Sequence, residues 1–476
     1  MEHKCGNECA CLKNVPVAPQ DWYGARHTQV ILLFVLITTS YLMRINLSVA
    51  IVAMTDSDAS PNPDIPTFVW DDKSIILTSF FVGYVLPQVP AGQLAKNYGP
   101  KWFLTVTFAI GSLLSILTPF IAPFGSWPMI ILRGLQGLMQ GFIFPFCHDL
   151  LSKWVPPCER ARLCTFVYAG IPFGTVLAMA ITGWLSGTWL GWPYAFYLFG
   201  AAGLIWTVLW SFLGYNSPAD HPHINPKERA YIEHVLGQKK HAAPPPTPWK
   251  EICTSLPVWA LLCTYSGHNW GFTTLITNTP TYMANVLNFD IKSNGVLSAA
   301  PYLVFWIVSL VFSAITDFII NRKYLTVGAA RKIANSIGMC VPAVALLTLG
   351  LISDADYDIT NITLVLLFVA VGTNGISYSG YRVNHMDLSL VHAGTLMGLT
   401  NGIANIFGMF GPLVLQFIVT DENDPQQWAI IFYMSSAIYI AGNCIFVIFG
   451  SGETQRWNDS VQDEPKRFKG SLEVEP

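Results

Sequence analysis

Long apolar segments alternate with short polar ones along the whole chain. About twelve of them have roughly 20 or more residues, enough for a helix to cross the ~30 Å hydrocarbon core of a membrane. They lie at residues 28–54, 74–95, 102–122, 127–151, 161–185, 193–214, 255–284, 295–320, 332–352, 362–383, 394–419 and 427–450. The pattern predicts an all-α membrane protein with about twelve transmembrane helices.

The composition agrees with this pattern. Hydrophobic residues make up 52% of the 476 residues and charged residues only 12%, whereas a soluble domain carries about 25% charged residues. The first apolar segment follows a polar leader with Glu2, Glu8 and Asp21, and no small-residue cleavage site comes after it. We therefore exclude an ordinary soluble protein and expect the first helix to be retained.

A polar interruption near the midpoint separates the first six predicted helices from the last six. It joins a helix-forming stretch, NPKERAYIEHVLGQKK, to the proline-rich AAPPPTPWK, and this composition is typical of a linker between bundles. The predicted organisation is a leader (1–27), a first bundle (28–214), a linker (215–252), a second bundle (253–451) and a tail (452–476).

The two halves also share short motifs. The polar turn GQLAKNYGPK after the second helix corresponds to SAITDFIINRK after the eighth, and CHDLL (147–151) corresponds to NHMDL (384–388). Two six-helix pseudo-repeats are typical of secondary transporters, in which one bundle moves against the other around a site at the membrane midplane.

Positive charges indicate the orientation of the helices, because Lys and Arg concentrate in cytoplasmic loops. With both termini in the cytosol, 21 of the 26 basic residues are cytosolic, 2 are external and 3 lie within or at the end of a helix. These 3 are Arg44, Arg133 and Arg382. We interpret Arg382 as an interfacial residue.

Arg44 and Arg133 lie in apolar surroundings without an evident partner. Arg44 is the only charge between Val30 and Thr55. A buried arginine is costly in a membrane and usually pairs with another group, so one interpretation is a structural ion pair. The helices of the first half contain no Glu, however, and their only acid away from the edges is Asp149. We therefore favour a cavity in which both guanidinium groups bind a dianion.

Several motifs resemble the anion/cation symporter family of the major facilitator superfamily. They are RINLSVAIVAM, SFFVGYVLPQVPAGQLA, RGLQGLMQGFIFPFCHDLLSKWVPPCERARL, SNGVLSAAPYL and VNHMDLSLVHAGTLMGLTNGIANIFGMFGP. That family includes sodium-dependent phosphate cotransporters, sialin and the vesicular glutamate transporters. GQLAKNYGPK resembles the signature loop of the superfamily, but Lys96 stands where that loop usually has an acid, whereas the second copy keeps Asp317.

The resemblance implies the major facilitator fold and roles for particular residues. The arginines that match Arg44 and Arg133 are substrate-binding or essential in the family. His268 matches an arginine of the glutamate-transporting members, and from the sequence it is either an anion ligand or a packing residue. Gln140 stands where the sialate- and glutamate-transporting members carry a glutamate thought to bear the coupling proton. Because the sodium-phosphate members resemble this chain in having Gln there, the resemblance implies sodium-driven phosphate uptake.

Other polar residues extend the candidate site. Tyr84 offers a hydroxyl to an anion, although an aromatic residue in a helix is more often a packing residue. A second group lies near the predicted cytoplasmic ends of the fourth and tenth helices, where it forms either a gate or coupling-ion site or ordinary helix-end hydrogen bonds. This group consists of His148, Asp149, Asn384, His385 and Asp387.

The remaining motifs narrow the function. Glycines in GLQGLMQG and GISYSG predict close helix packing. Cys5, Cys9 and Cys11 form an incomplete zinc site and are candidates for acylation. The chain has no GxxxxGK[ST] loop, which argues against direct coupling to ATP. It also has no nucleophile–base or metal-ligand cluster, which argues against an enzyme.

The sequence as a whole predicts a secondary transporter that moves small anions with sodium or protons and uses no cofactor. Phosphate is the leading substrate, an acidic amino acid or sialate is the alternative, and a receptor without transport is opposed by the helix count. We expect a monomer in the lipid bilayer that binds no nucleic acid. Without acidic dileucine or Tyr-x-x-apolar sorting signals, the plasma membrane is favoured over a lysosome or vesicle. Asn361 is the one sequon in a predicted external loop.

Overall fold

The computed structural model describes residues 23–55, 60–70, 72–236, 245–287, 291–353, 360–421 and 423–458. Within these ranges the regular elements are helices, which we number α1–α18 in chain order. The three leader cysteines and most of the predicted tail lie outside the described residues, as does part of the predicted linker.

The first half of the chain forms six membrane-crossing spans. Spans one, three and six are single helices, whereas spans two, four and five each consist of two consecutive helices. The nine helices are α1 (Ala25–Ala53), α2 (Lys73–Val85), α3 (Gln88–Tyr98), α4 (Lys101–Ile121), α5 (Ser126–Gln140), α6 (Ile143–Trp154), α7 (Arg160–Tyr168), α8 (Gly170–Ser186) and α9 (Trp192–Leu213).

Two short helices follow in the linker, and the second half then forms six further spans. The linker helices are α10 (Pro226–Val235) and α11 (Trp249–Thr254). The spans are α12 (Leu256–Asn285), α13 (Ile291–Asn321), α14 (Val327–Leu351), α15 (Thr360–Asn374) with α16 (Tyr381–Leu388), α17 (Ala393–Ile418) and α18 (Pro425–Phe449). We call the end of the bundle at which the linker joins the two halves the linker end.

The predicted twelve-helix architecture is confirmed, with one helix of unusual character. Among the described residues, 11 spans are long and apolar enough to cross a membrane by themselves. The remaining span, α12, has 30 residues but is more polar because it contributes to the interior. Thr264, Tyr265, His268 and Thr274 on this helix are all buried.

Spans four and ten are interrupted at corresponding places in the two halves. In span four, α5 ends at Gln140 and α6 begins at Ile143. In span ten, α15 ends at Asn374, a 3-10 turn follows, and α16 begins at Tyr381. Irregular backbone is tolerated at membrane depth only where protein or a cavity surrounds it, and such paired interruptions mark the binding region of many transporters.

Glycines bring α2 and α5 into backbone contact, as the GLQGLMQG motif predicts. A Cβ atom built on Gly137 would lie 1.9 Å from the Phe80 carbonyl oxygen, and one on Gly83 would lie 1.9 Å from the Gly134 carbonyl oxygen. Gly134 itself has more room, since its nearest neighbour would be 3.8 Å away. This packing holds the polar face of α5 against the aromatic face of α2.

The two halves meet closely at the linker end. A Cβ atom on Gly398 of α17 would lie 2.1 Å from the Gln88 carbonyl oxygen of α3, and one on Gly92 of α3 would lie 2.6 Å from the Cα atom of Thr395. The Gln93 amide donates to the Thr395 hydroxyl at 3.0 Å across the same contact. The structure therefore shows the conformation that is closed at this end.

Candidate functional site

Arg44 lies in the second half of α1, among aromatic side chains. Its guanidinium carbon is 4.8–5.3 Å from the ring centroids of Tyr41, Phe80, Phe81 and Tyr84. The guanidinium donates one long hydrogen bond, at 3.5 Å, to the Tyr41 hydroxyl. Among the described residues no carboxylate forms an ion pair with it. Aromatic faces attract a cation but leave its charge uncompensated.

Arg133 lies beside Arg44 and is almost completely buried. Its guanidinium donates to the Gln136 side-chain oxygen at 2.8 Å and to the backbone carbonyl of Arg44 at 3.2 Å. The Nε atom has no hydrogen-bond partner in the described part of the chain. No ion pair to Arg133 occurs there either. Both of its defined acceptors are neutral, so its charge is uncompensated as well.

The two guanidinium groups share one aromatic ring, which limits their separation. Each guanidinium carbon is 5.0 Å from the Phe80 centroid, so the two carbons are at most about 10 Å apart. At that distance two like charges repel each other by roughly 1.7 kcal/mol at an effective dielectric constant of about 20. A dianion between them would convert this repulsion into attraction, which is the chemistry that the sequence predicts for this pair.

Tyr84 connects this region to the second half of the protein. Its ring lies under Arg44 at 4.9 Å, and its hydroxyl accepts a hydrogen bond from the Asn401 amide at 3.0 Å. The same amide donates to the Gln88 side-chain oxygen at 3.1 Å, and the Asn401 oxygen accepts from the Tyr265 hydroxyl at 2.5 Å. Tyr84 is thus part of a polar cluster across the interface between the halves, which the sequence analysis did not identify.

Gln140 and His268 both lie in the interior, in different surroundings. The Gln140 side-chain oxygen accepts a hydrogen bond from the Ser40 hydroxyl at 3.0 Å, which places it on the α1 face near Arg44. The His268 ring instead packs in the second half, with ring centroids 5.7 Å from Tyr378 and 5.2 Å from Tyr381. The structure therefore assigns Gln140 to the arginine region and surrounds His268 with aromatic rings.

His148 and His385 meet across the two halves, although they are 237 residues apart in the sequence. His148 Nε2 and His385 Nδ1 lie 3.2 and 3.0 Å from the same backbone oxygen, that of Arg382. Since a carbonyl can only accept, both nitrogens carry hydrogens. The opposite nitrogens, His148 Nδ1 and His385 Nε2, contact the hydroxyls of Tyr168 and Thr400. The two imidazoles thus join the halves through a shared backbone oxygen.

Asp387 is the centre of a buried ion-pair network at the linker end. One of its oxygens is 2.9 Å from the guanidinium of Arg160 in the first half, and the other is 2.8 Å from Arg331 in the second. All three side chains are buried. Because Arg160 and Asp387 belong to different halves, their ion pair forms only while the halves are together. The network therefore stabilises the closed conformation of the linker end. Each carboxylate oxygen is thus paired with an arginine in this conformation, and the predicted gating or coupling role of Asp387 stays a prediction.

The other two predicted gating residues have local partners. Asp149 forms an ion pair with Lys153 one turn later, at 2.7 Å. Asn384 donates to the backbone oxygen of Ser451 at 2.8 Å, which ties α16 to the segment after α18. Both contacts are of the helix-end type that the sequence analysis considered as the alternative.

Lys96 and Asp317, which lie near the ends of α3 and α13, make different contacts. The Asp317 carboxylate accepts hydrogen bonds from the backbone amides of Ala161 and Arg162, at 3.0 and 2.7 Å, and so caps α7 of the opposite half. Lys96 instead donates to His392 Nδ1 at 3.3 Å. Burial, and to a smaller extent the charge of Lys96, lower the pKa of His392 to about 4. Asp317 therefore joins the two halves through its carboxylate and two backbone amides. Lys96 joins them through a hydrogen bond to the His392 ring.

The expectation that Arg382 is an interfacial residue is wrong. The side chain is 4% exposed and lies inside the bundle, directly after the 3-10 turn of span ten. Counting residues from the end of an apolar segment gives a position along the span and not the direction of the side chain, so it misplaces Arg382.

Comparison with known proteins agrees with this architecture. The sequence profile of the Major Facilitator Superfamily matches residues 33–412. The chain belongs to the major facilitator superfamily. As a member of this superfamily it is a multi-pass membrane transporter and not an enzyme. A solved structure of the proton:xylose symporter XylE, bound to a bromodeoxyglucose, has a TM-score of 0.64 at 13% identity and covers 90% of this chain and 98% of that one; this likeness shows the shared fold.

Several relatives within the superfamily are similar over most of their length. The chain is 39% identical over 476 aligned residues to a Drosophila melanogaster protein named "Putative inorganic phosphate cotransporter", covering 94% of this chain and 89% of that protein. It is 35% identical to human sialin, covering 91% of each. It is also 35% identical to vesicular glutamate transporter 3 of Danio rerio, covering 91% of this chain and 75% of that protein. The predicted resemblance to this group is therefore confirmed.

Proposed function

We propose that the protein is a secondary active transporter of small dianions, with sodium-coupled cotransport of inorganic phosphate as the leading case. The observation that carries this proposal is the pair of guanidinium groups of Arg44 and Arg133. They adjoin the same Phe80 ring, and neither has a carboxylate partner among the described residues.

The chemistry of arginine favours oxygen-rich anions. A guanidinium offers a planar fork of N–H donors that matches two oxygens of a phosphate or carboxylate, and charge-assisted hydrogen bonds of this kind are roughly twice as strong as neutral ones. Arg133 keeps its Nε–H unpartnered in the part of the chain that the structure describes. A phosphate dianion would supply both the missing negative charge and the missing acceptors. A neutral sugar would supply acceptors but no negative charge.

Gln140 supports sodium over protons as the coupling ion. Its amide lies on the Ser40 face of the arginine region, and an amide does not change its charge at physiological pH. The Drosophila relatives whose names include inorganic phosphate cotransporter are 39 and 40% identical. Gln140 therefore favours sodium as the coupling ion, and the names of these relatives favour phosphate as the substrate.

Proton-coupled transport of an organic anion is the second candidate. It is favoured by the identity of 35% to sialin and to a vesicular glutamate transporter, and by His148 and His385, which offer a different place for a proton. The receptor alternative does not stand, because the superfamily consists of transporters.

Uptake into proteoliposomes tests the proposal directly. Radiolabelled phosphate, glutamate and sialate should be offered to the purified full-length protein, with an inward sodium gradient or with choline instead, at acidic and at neutral external pH. We expect saturable, sodium-dependent phosphate uptake that unlabelled phosphate or a dicarboxylate inhibits and a neutral sugar does not. Sodium-independent uptake that rises steeply with an inward proton gradient would move the protein to the second candidate.

Substitutions of the two arginines test the site. Arg44→Ala or Arg133→Ala removes charge-assisted hydrogen bonds worth about 1.5–3 kcal/mol, so phosphate uptake should fall below detection while the amount of folded protein stays near wild type. Lysine at either position should restore uptake only in part, since a point charge cannot reproduce the fork. Arg322→Ala is the matched control, because Arg322 also packs on an aromatic ring, Phe318 at 5.5 Å, but is exposed. Normal uptake by the Arg44 or Arg133 variants would refute the site.

The cellular location belongs to the same proposal. We propose a plasma-membrane transporter that works as a monomer with both termini in the cytosol, as the distribution of basic residues predicts. Surface biotinylation of cells that express the full chain tests the location. Retention of the protein in lysosomes or vesicles would favour the second candidate.

A further inference from the structure

Arg382 is a further arginine without an acidic partner among the described residues, and it is buried in the second half of the protein. Its guanidinium donates one hydrogen bond, at 3.3 Å, to the Tyr381 hydroxyl. Its Nε and Nη1 atoms have no partner among the described residues. The nearby acid in sequence, Asp387, is already bound by two other arginines, Arg160 and Arg331. Nothing in the described part of the chain therefore neutralises Arg382.

Five aromatic rings surround this guanidinium. Their centroids lie 4.3–5.7 Å from its central carbon, and they belong to Phe144, Tyr168, Tyr265, Tyr378 and Tyr381. Aromatic faces attract a cation, although they cannot accept hydrogen bonds as an anion does. The side chain is therefore held in place with donors to spare, which is the state of a binding group that lacks its ligand.

The rings around Arg382 come from both halves. Phe144 and Tyr168 belong to α6 and α7, whereas the other three belong to α12 and to span ten. All five rings surround the guanidinium only while the two halves are together. When the linker end opens, the two rings of the first half must move away from the guanidinium. Arg382 would then face the opened cavity with two unpartnered nitrogens, Nε and Nη1.

Arg382 lies on the linker side of the Arg44 and Arg133 pair. Its backbone oxygen contacts His148 of α6, the part of span four nearer the linker end, whereas Arg133 is on α5, the part farther from it. Asn401 bridges the two regions. Its amide group bonds Tyr84, whose ring lies under Arg44, and Tyr265, whose ring is 5.2 Å from Arg382. A polar path thus leads from the surroundings of Arg44 to those of Arg382.

We propose that Arg382 is a second, inner anion-binding residue, which takes up the transported oxyanion when the linker end is open. This inference rests on the proposed function and specifies where the anion binds on its way to or from the linker side. The effect of replacing Arg382 should therefore differ between the two faces of the membrane. Arg382 should determine binding of the anion from the linker face, and binding from the opposite face should depend on Arg44 and Arg133.

The test measures transport from each face separately. Right-side-out and inside-out membrane vesicles that contain the full-length protein take up radiolabelled phosphate, and an impermeant maleimide that labels exposed Cys253 identifies the linker face. Loss of a charge-assisted contact should raise the KM for phosphate at the linker face about tenfold or more in Arg382→Gln. We expect the KM at the opposite face to stay within about twofold of wild type. Arg382→Lys should give an intermediate value.

A structural defect would act differently, since loss of folded protein lowers the maximal rate at both faces and leaves the ratio of the two KM values unchanged. If Arg382→Gln changes the KM equally at both faces, or changes neither, the inner site is refuted. In that case, loss of uptake in Arg44→Ala would still support the proposed function, so the two failures can be told apart.

Modification of Arg382 by phenylglyoxal provides a readout that does not depend on phosphate transport. The reagent is applied from the linker face, with phosphate, sulfate, glutamate or sialate present or absent, and modified peptides are identified by mass spectrometry. At least one anion should protect Arg382 but not Arg331, whose Nε and Nη1 atoms are hydrogen-bonded within the protein. If the wild type carries no phosphate, the proposed phosphate function fails, while protection by another anion supports the inner site. Absence of protection by all four overturns it.

Discussion

A single methyl group at Gly398 should change which end of the transporter is open. Gly398 lies on α17 where this helix meets α3 of the other half. An added Cβ would lie 2.1 Å from the Gln88 carbonyl oxygen and 3.0 Å from its carbon, whereas ordinary contact begins at 3.4 Å. The halves would have to separate by more than about 1 Å at this point, because the obstacle is backbone and cannot rotate away.

The magnitude follows from the usual cost of overpacking. An extra methyl group in a well-packed contact costs about 1–3 kcal/mol, which changes a ratio of two conformations by about 5- to 150-fold. The clash exists only while α3 and α17 are together. We therefore expect Gly398→Ala to disfavour the closed linker end without unfolding either half, and to slow transport because the cycle requires both conformations.

Cys164 reports on this equilibrium. Its side chain is fully buried and lies 3.9 Å from the Met386 sulfur of the opposite half. A thiol reagent can reach it from the linker side only when the halves separate. Labelling of Cys164, resolved from that of other cysteines by mass spectrometry, should therefore be faster in Gly398→Ala by up to the factor given above.

Two matched variants separate this effect from simple damage. Gly183→Ala adds the same atom where nothing lies within 4 Å, and it should behave as wild type. Gly137→Ala places the atom 1.9 Å from the Phe80 oxygen within the same half, so it should lower the melting temperature without favouring either end. Labelling of Cys164 at the wild-type rate in Gly398→Ala, with transport unchanged, would show that the closed conformation described here is not part of the cycle.

Two further substitutions test the charges of the interior. Gln140→Glu places a group that can take up a proton next to Ser40, so phosphate uptake should become more sensitive to external pH; an unchanged pH profile in vesicle uptake would contradict a role near the coupling step. Asp387→Asn leaves Arg160 and Arg331 buried without their counter-charge, at a cost of about 3–5 kcal/mol, and should both lower the melting temperature and accelerate Cys164 labelling. A variant that melts and labels as wild type would mean that this network does not hold the linker end closed.

The fold was largely predictable because a membrane imposes a simple length rule on apolar segments. Every predicted span corresponds to a helix or a pair of helices, even the polar α12. Interruptions within spans were less predictable. Pro87 separates α2 from α3, and its missing N–H explains this break. The break at Gly141 and Phe142 depends instead on packing against span two, because a Cβ on Gly141 would lie 2.4 Å from the backbone oxygen of Tyr84.

The candidate site was predicted in part. The shortage of acids in the first half identified Arg44 and Arg133, because an uncompensated charge is visible in the sequence. Asn401 was missed, although its spacing of four residues from Asn405 in an apolar helix indicates a polar inward face, and the Asn405 amide indeed donates to the Asn401 side-chain oxygen at 3.0 Å. Partners from opposite halves cannot be assigned from one sequence, since periodicity describes a helix face and not what it meets.

The distribution of charge inside the bundle separates closing from binding. The acids within the described spans of the interior, Asp149, Asp317 and Asp387, all accept bonds from basic side chains or backbone amides at the linker end. The contacts that close that end are therefore made entirely within the protein and need no substrate. Arg44 and Arg133 lie deeper and have no such acid. Under the proposed function, an anion that binds there supplies the missing negative charge and leaves the network of Asp387 unchanged. We therefore propose that selection of the cargo depends on the guanidinium groups of Arg44 and Arg133, because the acids that close the linker end are already paired.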